Sequence, residues 1–188
     1  MKVIFLDFDG PIIPLMSHDP SPRGIQEKAW PACVEQLNRV TEQTGAVIVV
    51  SSRWRWGGES NVVELLDMWG VKAKVIGITP ILEERWTADN PLWQAVIRGD
   101  EIQAWLDANE PVESFVILDD AADMGHLASR LVQTPFETGI TPEHADKAIA
   151  MLMNSCASLQ ATATVDRNAV SLSDRSWSSP QPSPASES

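Results

Sequence analysis

The amino-acid sequence predicts a three-layer α/β/α sandwich built on a mainly parallel sheet. Short, almost continuous apolar runs alternate along the chain with stretches of helical spacing, in the order β-α-β-α-β-α-β. The runs lack the in-and-out alternation of a half-solvated strand, so each reads as a strand covered on both faces. Three of them end on polar side chains, and in parallel sheets the crevice beyond the carboxyl ends of the strands is where reactive groups collect.

Val3-Ile4-Phe5-Leu6 is the first such run and leads to Asp7, Asp9 and Gly10. Residues 11–24 hold four prolines and are expected to form an irregular flap. Residues 25–43 show helical spacing through Ile25, Ala29, Val34, Leu37 and Val40, with Pro31 expected to kink or break the helix. Gly45 ends it, and Ala46-Val47-Ile48-Val49-Val50 is a second buried strand running into Ser51-Ser52-Arg53. A helix near 59–69, a stop at Gly70 and a strand near 72–78 follow. The segment 79–97, with Pro80 and Pro91, reads as loop. A helix near 99–109 leads to the strand Ser114-Phe115-Val116-Ile117-Leu118, which runs into Asp119-Asp120. Residues 131–134 offer a short fifth strand, and Thr141-Pro142 is a helix start for a segment to about 153. One domain over 1–154 is expected. Residues 155–188, with ten serines in 34 positions and a Pro-rich end, read as a disordered tail that cannot bury enough apolar surface to order itself.

The 188 residues carry a net charge of −12, and before residue 155 there are 23 acids against 12 bases. Strong non-specific nucleic-acid binding is not expected of so acidic a domain, because it needs clustered Lys and Arg against phosphates. A phosphorylated end could still be held by a few local cations. No run approaches the roughly 18 apolar residues that span a bilayer, and the apolar stretch before Asp7 is shorter than the 7–15 or so of a signal peptide. A cytoplasmic protein without membrane partners is the expectation, and Cys33 and Cys156, far apart in sequence, read as free thiols.

Asp7 and Asp9 lie two residues apart just past a strand, and Asp119 and Asp120, with Asp123 a turn further, form a second acidic group. Oxygen ligands of this kind suit Mg²⁺, and buried acids without a counter-charge would be costly. Ser51 supplies a hydroxyl at a third strand end. These segments, Phe5-Leu6-Asp7-Phe8-Asp9-Gly10, Val50-Ser51-Ser52-Arg53-Trp54-Arg55 and Val116-Ile117-Leu118-Asp119-Asp120, resemble phosphatases of the haloacid dehalogenase (HAD) superfamily. Within it they look like the HAD domain of Swiss Army Knife RNA repair proteins, over residues 1 to about 153.

The resemblance implies a Rossmann-like HAD fold and a definite division of labour. Asp7 would be the nucleophile forming an aspartyl-phosphate, and Asp9 the general acid and then base. Asp7, Asp9 (through its carbonyl), Asp119 and Asp120 would hold Mg²⁺, and Ser51, preferred to Ser52, would bind phosphoryl oxygens. The family's basic residue is assigned to Arg98, with Lys72 and Lys74 as competitors. Gly10, Ser52, Arg53 and Arg55 are expected along the substrate, and Trp54 or Trp56 could stack on a base. His18, His126 and His144 read as structural or surface residues. Pro11 stands where relatives usually have Thr or Val.

The short intervals between strands leave no room for a large cap, so the site should be open to large phosphorylated substrates, small molecule or nucleic-acid end. A non-catalytic binding module and a phosphotransferase are the alternative readings; the intact acids speak against the first.

Overall fold

A computed structural model describes residues 1–15, 29–82, 96–109 and 111–162. Five strands form one sheet: β1 (Lys2–Leu6), β2 (Val47–Val50), β3 (Val75–Ile78), β4 (Ser114–Asp119) and β5 (Leu131–Gln133). Their order is β3-β2-β1-β4-β5 and every pairing is parallel. The helices are α1 (Pro31–Thr44), α2 (Glu59–Met68), α3 (Arg98–Ala108) and α4 (Pro142–Thr162), with 3₁₀ turns at Arg53–Gly57 and Gly125–Arg130.

The apolar runs are continuous because the sheet is covered on both sides. Val3, Ile4, Phe5 and Leu6 of the central strand are all fully buried. Ile4 and Leu6 pack with Leu37 and Val40 of α1, Leu65 and Leu66 of α2, and Ala148 and Leu152 of α4. Val3 and Phe5 face the other way, against Ile102 and Trp105 of α3 and Leu127. The three-layer sandwich is thus formed by alternate residues of each strand serving opposite cores.

The structure corrects several expected details. Of the kink or break expected at Pro31 the break is found: α1 opens on Pro31, since the first helical position needs no N–H donor, and residues 29 and 30 before it are not helical. Gly45 closes α1 in the left-handed region, at φ 68°, with its N–H on Thr41 O. β3 begins at Val75, not near residue 72, leaving Lys72 and Lys74 ahead of it. α4 continues to Thr162 instead of stopping near 153. That extension, Ser155-Cys156-Ala157-Ser158-Leu159-Gln160-Ala161-Thr162, contains no Gly or Pro to break it. The rest of the expected tail, most of the flap with His18, and the greater part of the 79–97 loop lie outside the described residues. None of the described helices is long and apolar enough to cross a membrane.

Register brings the strand ends together. Leu6 pairs with Val50 on one side and Leu118 on the other. The ladder then continues one step further: Asp7 N–H donates to Leu118 O, Ser51 N–H to Leu6 O, Thr79 N–H to Val50 O and Thr134 N–H to Asp119 O. Asp7, Ser51, Thr79, Asp119 and Thr134 therefore share one edge of the sheet.

Candidate active site

Asp7, Asp119 and Asp120 converge at that edge, each offering a carboxylate oxygen within 4.8 Å of the others. Asp119 is completely buried and Asp7 nearly so. The guanidinium of Arg98, the first residue of α3, lies 3.6 Å from Asp7 Oδ1 and 3.7 Å from Asp119 Oδ2. It also donates to the carbonyl of Ser51. Burial works against the Arg98 charge, but Asp7, Asp119, Glu101 and Asp123 outweigh it and the net shift of its pKa is upward. Lys72 and Lys74 are not at this site. Lys72 pairs with Glu42 at 2.9 Å on the surface, and the Lys74 carbonyl accepts from Ile48 N, at the opposite edge of the sheet.

Among the described residues, the buried side-chain oxygens without a hydrogen-bond partner are Ser51 Oγ, Thr79 Oγ1, Asp119 Oδ2 and Thr134 Oγ1. All sit at the carboxyl ends of strands. Buried polar atoms are ordinarily satisfied, and such a concentration marks where an external group binds. Ser52 differs from its neighbour, because its Oγ accepts from Trp54 N and caps the 3₁₀ turn. Asp9 is half-buried, and its Oδ2 accepts the indole N–H of Trp54 at 2.9 Å. Its carboxylate is outside the metal-competent trio, so only its carbonyl is left as the ligand expected from it.

The family model for the HAD domain in Swiss Army Knife RNA repair proteins matches residues 3–145. The chain belongs to this HAD family. No curated protein matches it. The all-parallel five-stranded sheet between helices is the fold that the family implies.

A divalent cation fits the residues of this HAD domain. Asp119 Oδ1 accepts Ala121 N at 2.9 Å, but Oδ2 has no donor and no solvent. Hard oxygen donors at this spacing suit Mg²⁺. Burial first, and the charge of Asp7 second, push the Asp119 carboxyl up to about 7, with Arg98 and the Ala121 N–H pulling the other way. Burial and Asp7 also raise Asp120. For Asp119 the stability associated with the raised pKa is fully present below the unfolded value of about 3.9 and is lost as pH rises through about 7. A cation needs the ionised carboxylate. Added Mg²⁺ is therefore expected to raise the melting temperature more at about pH 8 than at about pH 5, where binding must displace a proton. Scanning calorimetry with and without metal checks this, and equal shifts at the two pH values would contradict it.

Gly10, expected along the substrate, has a structural reason to be glycine. Its φ is 88°, and a Cβ there would stand 2.6 Å from Asp120 Cβ. Gly10→Ala is expected to displace Asp120, weaken metal binding about tenfold and cost about 1–3 kcal/mol of stability. Metal titration and urea unfolding read the two effects, and unchanged metal affinity would show that Asp120 is not a ligand.

Arg55 was expected to touch substrate but is turned inward. Its guanidinium is 3% exposed, donates to the carbonyls of Ser51, Ser52 and Thr79, and pairs with Glu101 at 2.5 Å. Arg53 is exposed, as is Trp56, while Trp54 packs inward against Phe8 and Trp69. Asp123 does not join the acidic trio: its carboxylate accepts from Arg98 N at 3.2 Å, at the start of α3. His126 bonds Gln103 and His144 bonds Thr141, away from the strand ends.

Three positioning residues escaped the sequence reading. Trp54 orients Asp9. Glu101 anchors Arg55, and its place one turn after Arg98 was the available signal. Gly99 lets α3 lie against the loop after β4, since a Cβ there would stand 2.2 Å from Met124 O. A cleft of about 180 Å³ reaches Arg98 from Arg53 and Trp56, and one of about 360 Å³ lies beside Asp120 and Thr134. A larger cavity of about 920 Å³, lined by Trp30, Val34, Arg39 and Trp69, contains none of the strand-end groups.

Proposed function

We propose that this HAD domain is a Mg²⁺-dependent phosphatase that hydrolyses a phosphomonoester through an aspartyl-phosphate on Asp7. The observation that carries the reading is the meeting of Asp7 with the free Ser51 hydroxyl, the orphaned Asp119 oxygen and the Arg98 guanidinium at one sheet edge. Asp7 attacks phosphorus, the bond to the leaving oxygen breaks, and Asp9 gives that oxygen its proton. Asp9, held by Trp54, then takes a proton from water as the water attacks the aspartyl-phosphate, releasing inorganic phosphate and free Asp7. Ser51 Oγ donates to a phosphoryl oxygen, and Arg98 carries positive charge toward the transferring group. Held by Asp7, Asp119, Asp120 and the Asp9 carbonyl, Mg²⁺ would offset the repulsion between the Asp7 carboxylate and the anionic phosphate.

The family's description as an RNA repair domain supports a terminal phosphate on a nucleotide or RNA as the substrate. The test is phosphate release from an aryl phosphate with added Mg²⁺ and with a chelator, in the presence and absence of competing alcohols. Metal-dependent release of inorganic phosphate is expected. Release indifferent to the chelator would defeat the metal assignment, and phosphorylated alcohol as the main product would make the protein a phosphotransferase.

A further inference from the structure

We propose that Arg53 and Trp56 form a subsite for the leaving group, one that takes a nucleotide-type group: a planar base with a second phosphate attached. The proposal rests on the phosphatase reading above and specifies what that site accepts. Four residues in a row, Arg53-Trp54-Arg55-Trp56, occupy the 3₁₀ turn after β2. The inner two are committed, Trp54 to Asp9 and Arg55 to Glu101 and three carbonyls. In a 3₁₀ helix the side chains at i and i+3 eclipse, so Arg53 and Trp56 stand on the same side of the turn. Both line the cleft that leads to Arg98, whose guanidinium is 3.6 Å from Asp7.

The exposure of the indole is unusual for a tryptophan. Trp56 is 69% exposed, more than any other large hydrophobic residue described. Ile81 and Leu82, also exposed, line the same cleft and set apolar side chains beside its charged ones. An aromatic wall with a few polar groups is the make-up of ligand pockets. Arg39, Arg55, Lys72 and Arg98 each pair with an acid, whereas Arg53 has no ion pair or hydrogen bond among the described residues. An unpaired guanidinium beside an exposed indole, in a chain of net charge −12, suits a ligand that is aromatic and anionic at once. The cleft holds about 180 Å³, well under the 300–1,000 Å³ or so of sites for drug-sized ligands, which fits one ring system with the rest of the molecule in solvent. The turn is rigid, because Ser52 caps it and Arg55 ties it to β3 and α3. Its two outward side chains are therefore preorganised.

The experiment compares kcat/KM for a terminally phosphorylated dinucleotide (5′ and 3′ forms), the corresponding mononucleotide and glycerol phosphate, in the full chain and in Trp56→Ala and Arg53→Ala. Glycerol phosphate has neither ring nor second phosphate. The full chain should prefer one of the dinucleotides, and Trp56→Ala should reduce the ratio of dinucleotide to glycerol phosphate turnover about tenfold, through KM. Arg53→Ala should reduce the ratio of dinucleotide to mononucleotide, and raising salt should shrink that loss. Equal losses on all substrates or an unaltered ratio would overturn the subsite, as would faster turnover of a phosphoserine peptide run alongside them. Absence of turnover on every phosphate would instead defeat the phosphatase reading, and calorimetric titration of the dinucleotide into the same three proteins would then decide the subsite alone.

Discussion

Asp7→Asn is expected to abolish Mg²⁺-dependent phosphate release, by on the order of 10⁴-fold or more, because it removes the nucleophile and not an accessory contact. The substitution is well suited to the question. Asn keeps the volume of Asp and an oxygen to accept the Phe8 N–H, which meets Asp7 Oδ1 at 2.9 Å. It also removes one negative charge from a cluster in which Asp7 raises both Asp119 and Asp120. The metal-free variant should therefore melt no lower than the parent, and the Asp119 carboxyl should titrate closer to the ordinary carboxylate range. Loss of activity with a preserved melting temperature separates a chemical role from a structural one. Turnover in the variant within tenfold of the parent would sink the covalent mechanism.

The parts of this site that could be read in the sequence are those fixed by strand burial. A strand covered on both faces must be apolar along its whole length, so its end is abrupt, and Asp7, Ser51 and Asp119 stand at such ends. Ser51 was separable from Ser52 for the same reason: the residue that continues the ladder is the one left with a free hydroxyl. Arg98 could be placed only as a cation ahead of the last acidic strand. Its reach to Asp7 depends on how closely α3 lies against the loop after β4, which Gly99 sets through a contact with Met124 O that no local pattern displays. Lys72 and Lys74, rivals despite falling on a strand expected near 72–78, lie ahead of β3, which begins at Val75, at the end of the sheet away from Asp7. The Arg-Trp-Arg-Trp segment was opaque because nothing in the sequence marks the 3₁₀ turn that sends Arg55 inward and leaves Arg53 and Trp56 outside. Arg55, expected along the substrate, is instead a buried tie.

Removing that tie should cost the domain as much as truncating a core side chain, although it touches no metal ligand. Arg55→Met keeps much of the side-chain volume but leaves the Ser52 and Thr79 carbonyls without their guanidinium donor, and Glu101 with only the Leu82 N–H at 3.4 Å. Ser51 O keeps Arg98. A buried acid stripped of its partner typically costs about 3–5 kcal/mol, which for a domain of this size is a fall in melting temperature of roughly 10 °C. Glu101→Gln is expected to cost less, because Arg55 retains its carbonyl partners and can still donate to the amide oxygen. The asymmetry follows from the hydrogen-bond count, and a double variant Arg55→Met/Glu101→Leu should recover part of the loss by removing the stranded charge altogether. Urea unfolding of the parent, Arg55→Met, Glu101→Leu and the double variant gives the cycle directly. A midpoint for Arg55→Met unchanged from the parent would mean that the Arg55–Glu101 contact does not hold the ends of β2 and β3 to α3, and that Arg98 owes its position to the packing of Gly99 alone.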